Sequence, residues 1–239
     1  ENKDSPAVLD FTELTVLAKG FLISGTNVGA SIKRFSFVDS RGLRVKNIGT
    51  VFRYTPTQML FSDLLLETNT SSISGNLRFD YQRKDLRSFS DKVNISGSLK
   101  NSSINLEEFN FLYNEFGANQ KVQLNTTFSG TLNDLQFNKF NLKTVNNTLI
   151  IGTFQTNDLF KSSSTGFSFN GEFEQISSTY EDLTALLPRV LGKTIPSGFN
   201  SLGRFSTSGS LEISREAVKA VLDISTEIGS LFIDLNLKD

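Results

Sequence analysis

Neither cysteine nor histidine occurs in the sequence, and tryptophan is absent as well. Without thiolates and imidazoles there can be no disulfides, most zinc and haem sites are excluded, and so are the His-based arrangements that activate Ser or Cys nucleophiles. An enzyme built on this chain would have to work with carboxylates, Lys, Tyr or Ser alone. Lack of cysteine fits a reducing or an oxidising compartment, because a core of this size needs no staples. An excess of one charge is missing too. The 24 basic residues stand against 25 acidic ones, which leaves no overall basic field and disfavours nucleic acid as a partner. The chain also has no run of about 18 apolar residues, the length of a spanning helix. Its start, "ENKDSPAVLD", has no initiator Met and no charged region followed by an apolar one. The expectation is a soluble section of something longer.

What the sequence does have is period two, the mark of a sheet with one buried face and one wet face. The apolar-side positions are Ile73, Gly75, Leu77, Phe79 and Tyr81, then Val93, Ile95, Gly97 and Leu99, then Val122, Leu124, Thr126, Phe128, Gly130 and Leu132. The alternation returns as Phe167, Phe169, Gly171 and Phe173, as Phe205, Thr207, Gly209, Leu211 and Ile213, and as Leu231, Ile233, Leu235 and Leu237. Turn signals punctuate it. "DSRGL" at Asp39 to Leu43 predicts a hairpin turn with glycine supplying a positive φ, and "YTPTQ" at Tyr54 to Gln58 puts Pro56 in a connection. A meander of antiparallel strands follows.

One word recurs on these strands, as "ISGNL", "ISGSL", "FSGTL", "TSGSL" and more loosely "FNGEF". Each sets a glycine among bulky inward residues, at Gly75, Gly97, Gly130, Gly209 and Gly171. A curled sheet crowds the side chains of its concave face, and a missing Cβ relieves that crowding, so these glycines are expected to bend the sheet.

Two segments break the rhythm. "STYEDLTALLPRVLG", Ser178 to Gly192, has acids in a first turn, Leu183, Leu186, Leu187, Val190 and Leu191 at helical spacing, and a terminal glycine. Pro188 predicts one helix to about Leu187 and a short helical turn begun by the proline. "NLEEFNFLYNEFG", Asn105 to Gly117, carries Phe109, Leu112, Tyr113 and Phe116 near helical spacing, while Phe109, Phe111 and Tyr113 fit a strand equally. A glycine-bearing strand follows each segment, so the chain is expected to hold a loose repeat, about 73–135 and 167–214, within one elongated unit spanning 1–239.

Candidate chemistry is sparse. The pairs Glu107 with Glu108 and Glu181 with Asp182 could serve as general acid and base, but each stands where a helix N-terminus favours negative charge. Arg78, Arg83, Lys84 and Arg87 gather near Phe79, Tyr81 and Phe89, yet Asp80, Asp85 and Asp91 dilute them into a solvated face. No phosphate-cradling loop, metal-ligand spacing or calcium loop is found, so no catalytic residue, metal or cofactor is expected. Phenylalanine is the one excess, 22 residues against 4 Tyr. Lacking a polar handle, it suits either an ordinary core or a groove for acyl chains.

The long amphipathic strands, the "SG-x-L" words and the short acid-headed helices resemble the TamB and AsmA-like family of bacterial envelope proteins. The stretches that carry the likeness are "FSFVDSRGLRVKNI", "LLLETNTSSISGNLRFDY" and "LTALLPRVLG…LGRFSTSGSL". The resemblance implies a periplasmic section of a Gram-negative protein that is anchored in the inner membrane by a helix outside this segment. It implies a sheet curled into a trough, an outer-membrane partner of the BamA family like TamA, and phospholipid transport or assistance to β-barrel assembly. The fold expected is therefore all-β with one or two short helices, an elongated curled antiparallel sheet with an apolar concave face. Ile73, Leu77, Phe79, Ile95, Leu99, Phe128, Leu132, Phe169, Phe173, Leu211 and Ile213 are expected to line a lipid groove. The alternative is an envelope interaction module whose sheet closes on itself as a sandwich or barrel, with a dry interior and no lipid conduit.

Overall fold

Alternating side chains put one face of every strand in oil and the other in water, and here the strands pair in the order in which they are made. The computed structural model describes residues 11–40, 42–110, 116–158, 168–189, 191–195, 197–214 and 216–238. Within them run β1 (Phe11–Ser24), β2 (Asn27–Asp39), β3 (Arg44–Val45), β4 (Asn47–Thr55), β5 (Gln58–Glu67), β6 (Ser72–Asp80) and β7 (Asn94–Asn105). They continue as β8 (Lys121–Gly130), β9 (Leu135–Thr144), β10 (Leu149–Asn157), β11 (Ser168–Thr179), β12 (Arg204–Ile213), β13 (Ala217–Thr226) and β14 (Gly229–Lys238). All fourteen belong to one antiparallel sheet in chain order, with the short β3 paired to β2 off the main path. At about 4.8 Å per strand the thirteen strands of that path extend roughly 58 Å. The sheet is curled and does not close into a barrel.

The predicted turns are in place. Asp39 N–H donates to Leu43 O (2.9 Å), Gly42 takes φ +97°, and the two-residue turn at Pro56 joins β4 to β5. Phe167 lies outside the described residues. β8 ends at Gly130, two residues short of the expected strand, because Gly130 turns to φ +130° with the Asp134 carbonyl lying where a Cβ would stand. Leu132 therefore belongs to the β8–β9 turn and not to the sheet.

The curl has a cause that simple alternation hides. β5, β7, β9 and β11 each carry one residue more than their neighbours at the same latitude, a line of β-bulges. On three of them a residue in the left-handed region sits at the shift, Asp63 (φ 51°), Asn101 (φ 49°) and Lys139 (φ 50°), each facing water. Two of the amides thus released from the ladder are taken by asparagines of the next strand, Asp63 N–H by Asn76 Oδ1 (3.0 Å) and Asn101 N–H by Asn125 Oδ1 (2.7 Å). β4, β6, β8, β10 and β12 stay regular and present small residues along that line, Thr50, Gly75, Thr126, Gly152 and Gly209. The bulged strands set Leu64, Leu99, Phe140 and Phe173 beside them. Four strands bending at one latitude crease the sheet between β4 and β12.

The connections supply the caps. Thr179 Oγ1 accepts from Asp182 N–H (3.1 Å) and starts α2, after α1 (Phe89–Lys92) in the β6–β7 connection. α2 (Tyr180–Leu186) stops where Leu187, next to Pro188, leaves helical geometry at φ −136°. The following turn, α3 (Leu191–Thr194), begins at Leu191, three residues later than a proline start would give. Val190 lies outside the described residues. Between β7 and β8 the described residues hold a 3-10 turn, Leu106–Phe109; Phe111, Leu112 and Tyr113 lie outside them.

Candidate apolar groove

Register places the apolar residues of successive strands side by side in rows that run the length of the sheet. One row passes through Ala30, Phe52, Phe61, Leu77, Gly97, Phe128, Phe137, Phe154, Gly171, Leu211, Ala220 and Leu235, each the cross-strand partner of the next. The adjacent row on the same face contains Val28, Tyr54, Met59, Phe79, Ile95, Gly130, Leu135, Thr156, Phe169, Ile213, Val218 and Leu237.

Phenylalanine concentrates in the middle. Phe137 and Phe154 stack with ring centroids 4.6 Å apart, Phe154 and Phe169 at 5.5 Å, and Phe169 and Phe173 at 6.3 Å, while Phe52, Phe61 and Phe79 form a second run. These rings are half-buried. Two clusters of fully buried residues stand at opposite rims. On one, Tyr81, Val93 and Ile95 pack with Phe89 of α1 and with Leu132. On the other, Leu186 of α2 covers Ile104, Val122 and Leu142, with Leu183, Leu187, Leu106, Phe109 and Ile73 around it. The two rim segments there are tied together by Gly117 N–H donating to Leu186 O (3.0 Å).

Of the eleven residues expected to line a groove, Leu77, Phe79, Ile95, Phe128, Phe169, Leu211 and Ile213 fall in the two rows. Leu99 and Phe173 sit at the crease, Ile73 joins the α2 rim, and Leu132 closes the other rim from its turn. The five glycines do three different things. Added Cβ atoms on Gly75 and Gly209 would run into backbone carbonyls of the next strand, Ser98 on the bulged β7 and Val221 on β13, which pairs with β12 without a shift, and Gly152, which alternation did not single out, meets the Glu172 carbonyl on the bulged β11. Gly171 lies under the rings of Phe169 and Phe173, and Gly97 under Phe128 with the Asn76 carbonyl 2.7 Å from its added Cβ; Gly130 ends β8. Phe52, Phe61, Phe137, Phe140 and Phe154 were missed because β5 and β9 change phase at their bulges and β4 and β10 carry no unbroken alternation. The signal that could have found them is a step of three, Phe61 to Leu64 and Phe137 to Phe140.

Polar chemistry is structural where it is resolved. Glu108 accepts from the hydroxyls of Thr68 and Ser71 and from Thr70 N–H (3.2 Å), pinning the β5–β6 turn. Burial pushes its pKa up, but those hydrogen bonds outweigh it and hold the carboxyl below its ordinary value. Asp182 binds Asn146 Nδ2 (2.9 Å) and Glu107 accepts from Asn119 N–H (3.1 Å), so neither acidic pair faces the groove as a free acid and base couple. Arg78 pairs with Asp80 at 2.6 Å on the wet face. A cleft between β1, β2 and β3 carries mixed charge, Arg34, Arg44 and Lys46 with Glu13, and lies apart from the Phe run. Thr156 and Thr207, on the groove face, keep buried hydroxyls without a partner. No cluster of three acidic groups able to hold a metal ion occurs among the described residues. No protein-family model, curated protein or solved structure matches the chain.

Proposed function

We propose that the chain is a non-catalytic groove of TamB type, which shields the acyl chains of phospholipid between the two membranes of a Gram-negative envelope. The parent protein would be anchored in the inner membrane and would meet a BamA-family partner, and the same groove can serve barrel assembly by holding apolar segments out of water. The observation that carries this reading is the pair of largely apolar rows on the face of an open sheet, with stacked Phe rings left half-buried between two rims of deeper burial. Each shielded methylene is worth about 0.8 kcal/mol, so a sixteen-carbon chain gains on the order of 10 kcal/mol without any head-group site. The barrel form of the self-closed alternative loses support, since the sheet does not close into a barrel.

Native mass spectrometry of the purified protein, combined with photo-crosslinkers at Phe79 or Phe128, tests the reading. Co-purified lipid and adducts on the crosslinker are expected. Absence of both, with the crosslinker in the row, would remove the basis for a conduit.

A further inference from the structure

The β6–β7 connection stands on the rim where Tyr81, Val93 and Ile95 pack, and it reaches the groove through Phe89, whose ring lies 5.9 Å from that of Phe79. It carries four cations, Arg83, Lys84, Arg87 and Lys92, and two acids, Asp85 and Asp91. Such a mixture reads in sequence as a neutral solvated face, but the structure separates the signs. Asp85 Oδ2 turns back to accept from Gln82 N–H (2.9 Å), and Asp91 Oδ1 accepts from Nδ2 of the buried Asn133 (2.8 Å). The four cations have no hydrogen-bond or ion-pair partner among the described residues.

Helical spacing decides what the outward side presents. Arg83–Ser88 is a 3-10 helix, in which side chains three apart eclipse one another. One column is Arg83 and Leu86, the next is Lys84 and Arg87, and all four are exposed; the third, Asp85 and Ser88, is half-buried. The outward side is therefore three cations around a leucine that is 40 % exposed, with no acid in either column. The β8–β9 turn, docked on α1 by Asn133 N–H donating to Ser90 O (3.0 Å), adds one carboxylate, Asp134, and the cations stay in surplus. On the opposite rim Arg204 is spent within the fold, donating to the carbonyls of Asn146 and Asn147.

We propose that this 3-10 helix is a head-group site, where Arg83, Lys84 and Arg87 hold the phosphate of a phospholipid whose acyl chains lie in the groove; the site rests on the groove reading above. Hydrogen bonds from guanidinium and ammonium groups to phosphate oxygens are charge-assisted and strong. Leu86 separates the lipid from a free anion, since inorganic phosphate gains nothing from an exposed leucine among its cations, while a phospholipid brings methylenes beside its phosphate. The apolar rows hold any acyl chain alike, and the rim adds a choice for chains that carry a phosphate.

Calorimetric titration with dioctanoyl phosphatidylglycerol, dioctanoylglycerol and inorganic phosphate tests the site. The phospholipid should bind roughly tenfold or more tighter than dioctanoylglycerol, which has the same chains and no phosphate, and also tighter than inorganic phosphate by at least that factor. The triple variant Arg83→Gln, Lys84→Gln, Arg87→Gln changes only exposed positions. It should bring the phospholipid down to the affinity of dioctanoylglycerol, with dioctanoylglycerol binding and the melting temperature unchanged. Leu86→Gln should weaken the phospholipid and leave inorganic phosphate as it was. Equal affinity for the two lipids, a triple variant that keeps the preference, or inorganic phosphate matching the phospholipid would each overturn the head-group site and leave the groove standing. Binding of neither lipid would overturn both.

Discussion

Gly75→Ala is the sharpest probe of the crease. The added Cβ would overlap the Ser98 carbonyl, with its carbon 2.9 Å away and Leu99 Cα at 3.2 Å, and all of these are backbone. No side chain can swing aside, so β6 and β7 must part. Overpacking of this kind costs about 1–3 kcal/mol, and weakening the two ladder hydrogen bonds beside the Gly75 and Leu99 pair adds about 1 kcal/mol each. A loss of about 3–5 kcal/mol is expected, which in a chain of this size lowers the melting temperature by about 6–20 °C. Gly171→Ala is the control. The three atoms nearest its Cβ would all be ring atoms, Phe169 Cε1 and Cζ at 2.9 Å and Phe173 Cε2 at 3.0 Å, and half-buried rings can turn. Replacing a strand glycine returns about 0.5–1 kcal/mol of chain entropy, so this variant should stay within about 1 kcal/mol of wild type. Urea unfolding measures both, and hydrogen exchange should localise the loss to β6 and β7, because each strand contacts only its neighbours. Equal losses for the two variants, or less than about 1 kcal/mol for Gly75→Ala, would refute the crease as the source of the curl.

Glu108→Gln should destabilise by about 1–3 kcal/mol at pH 7, since hydrogen bonds to a charged acceptor are lost at the β5–β6 turn. With a folded pKa depressed below the ordinary 4.5, the carboxylate contributes its full stability above that value and loses it as pH falls through the folded pKa, so the gap between variant and wild type should close in acid. Urea titrations at pH 7 and pH 3 check the sign. Leu186→Ala, at a position 4 % exposed, should cost about 2–4 kcal/mol and strip exchange protection from α2 and from Gly117, whose amide bonds to the Leu186 carbonyl; protection that persists at Gly117 would show that the rim does not depend on this side chain.

The fold class was legible because the regular strands advertise themselves. Every clean alternating word falls on β6, β8, β12 or β14, or on the part of β7 and β11 that precedes a bulge. β5 and β9 hid because a bulge inserts one residue and moves the inward set from Met59 and Phe61 to Leu64 and Leu66, and from Leu135 and Phe137 to Phe140 and Leu142, a change no single period can follow. Asp63 and Asn101 are residue types that tolerate the left-handed region, but a lone Asp or Asn also marks any wet position, and Lys139 gives no hint. For the same reason the glycine words could be seen while their roles could not. Gly75 and Gly171 stand in similar phrases, yet one faces a carbonyl across the crease and the other lies under aromatic rings. Only register separates them.

Register also bears on what fills the groove. A dry, self-packed interior would bury its longest apolar rows most deeply, because interiors reach the density of organic crystals. Here the deepest burial lies at the rims, where Val93 and Val122 are 0 and 1 % exposed under loops that fold over the edges. Between them the rings of Phe52, Phe61, Phe128, Phe137 and Phe154 remain half-buried, although they form the most continuous part of the row. Gly97 and Gly171 stand in that row under the rings of Phe128 and of Phe169 and Phe173, which fill the space a side chain there would take and lay the rings flat along the face. A sequence selected to pack against itself has no reason to leave those rings half-buried in the centre of its longest apolar row. One selected to receive a long, featureless apolar chain gains a smooth wall from them, and that is the physical ground for the proposed groove.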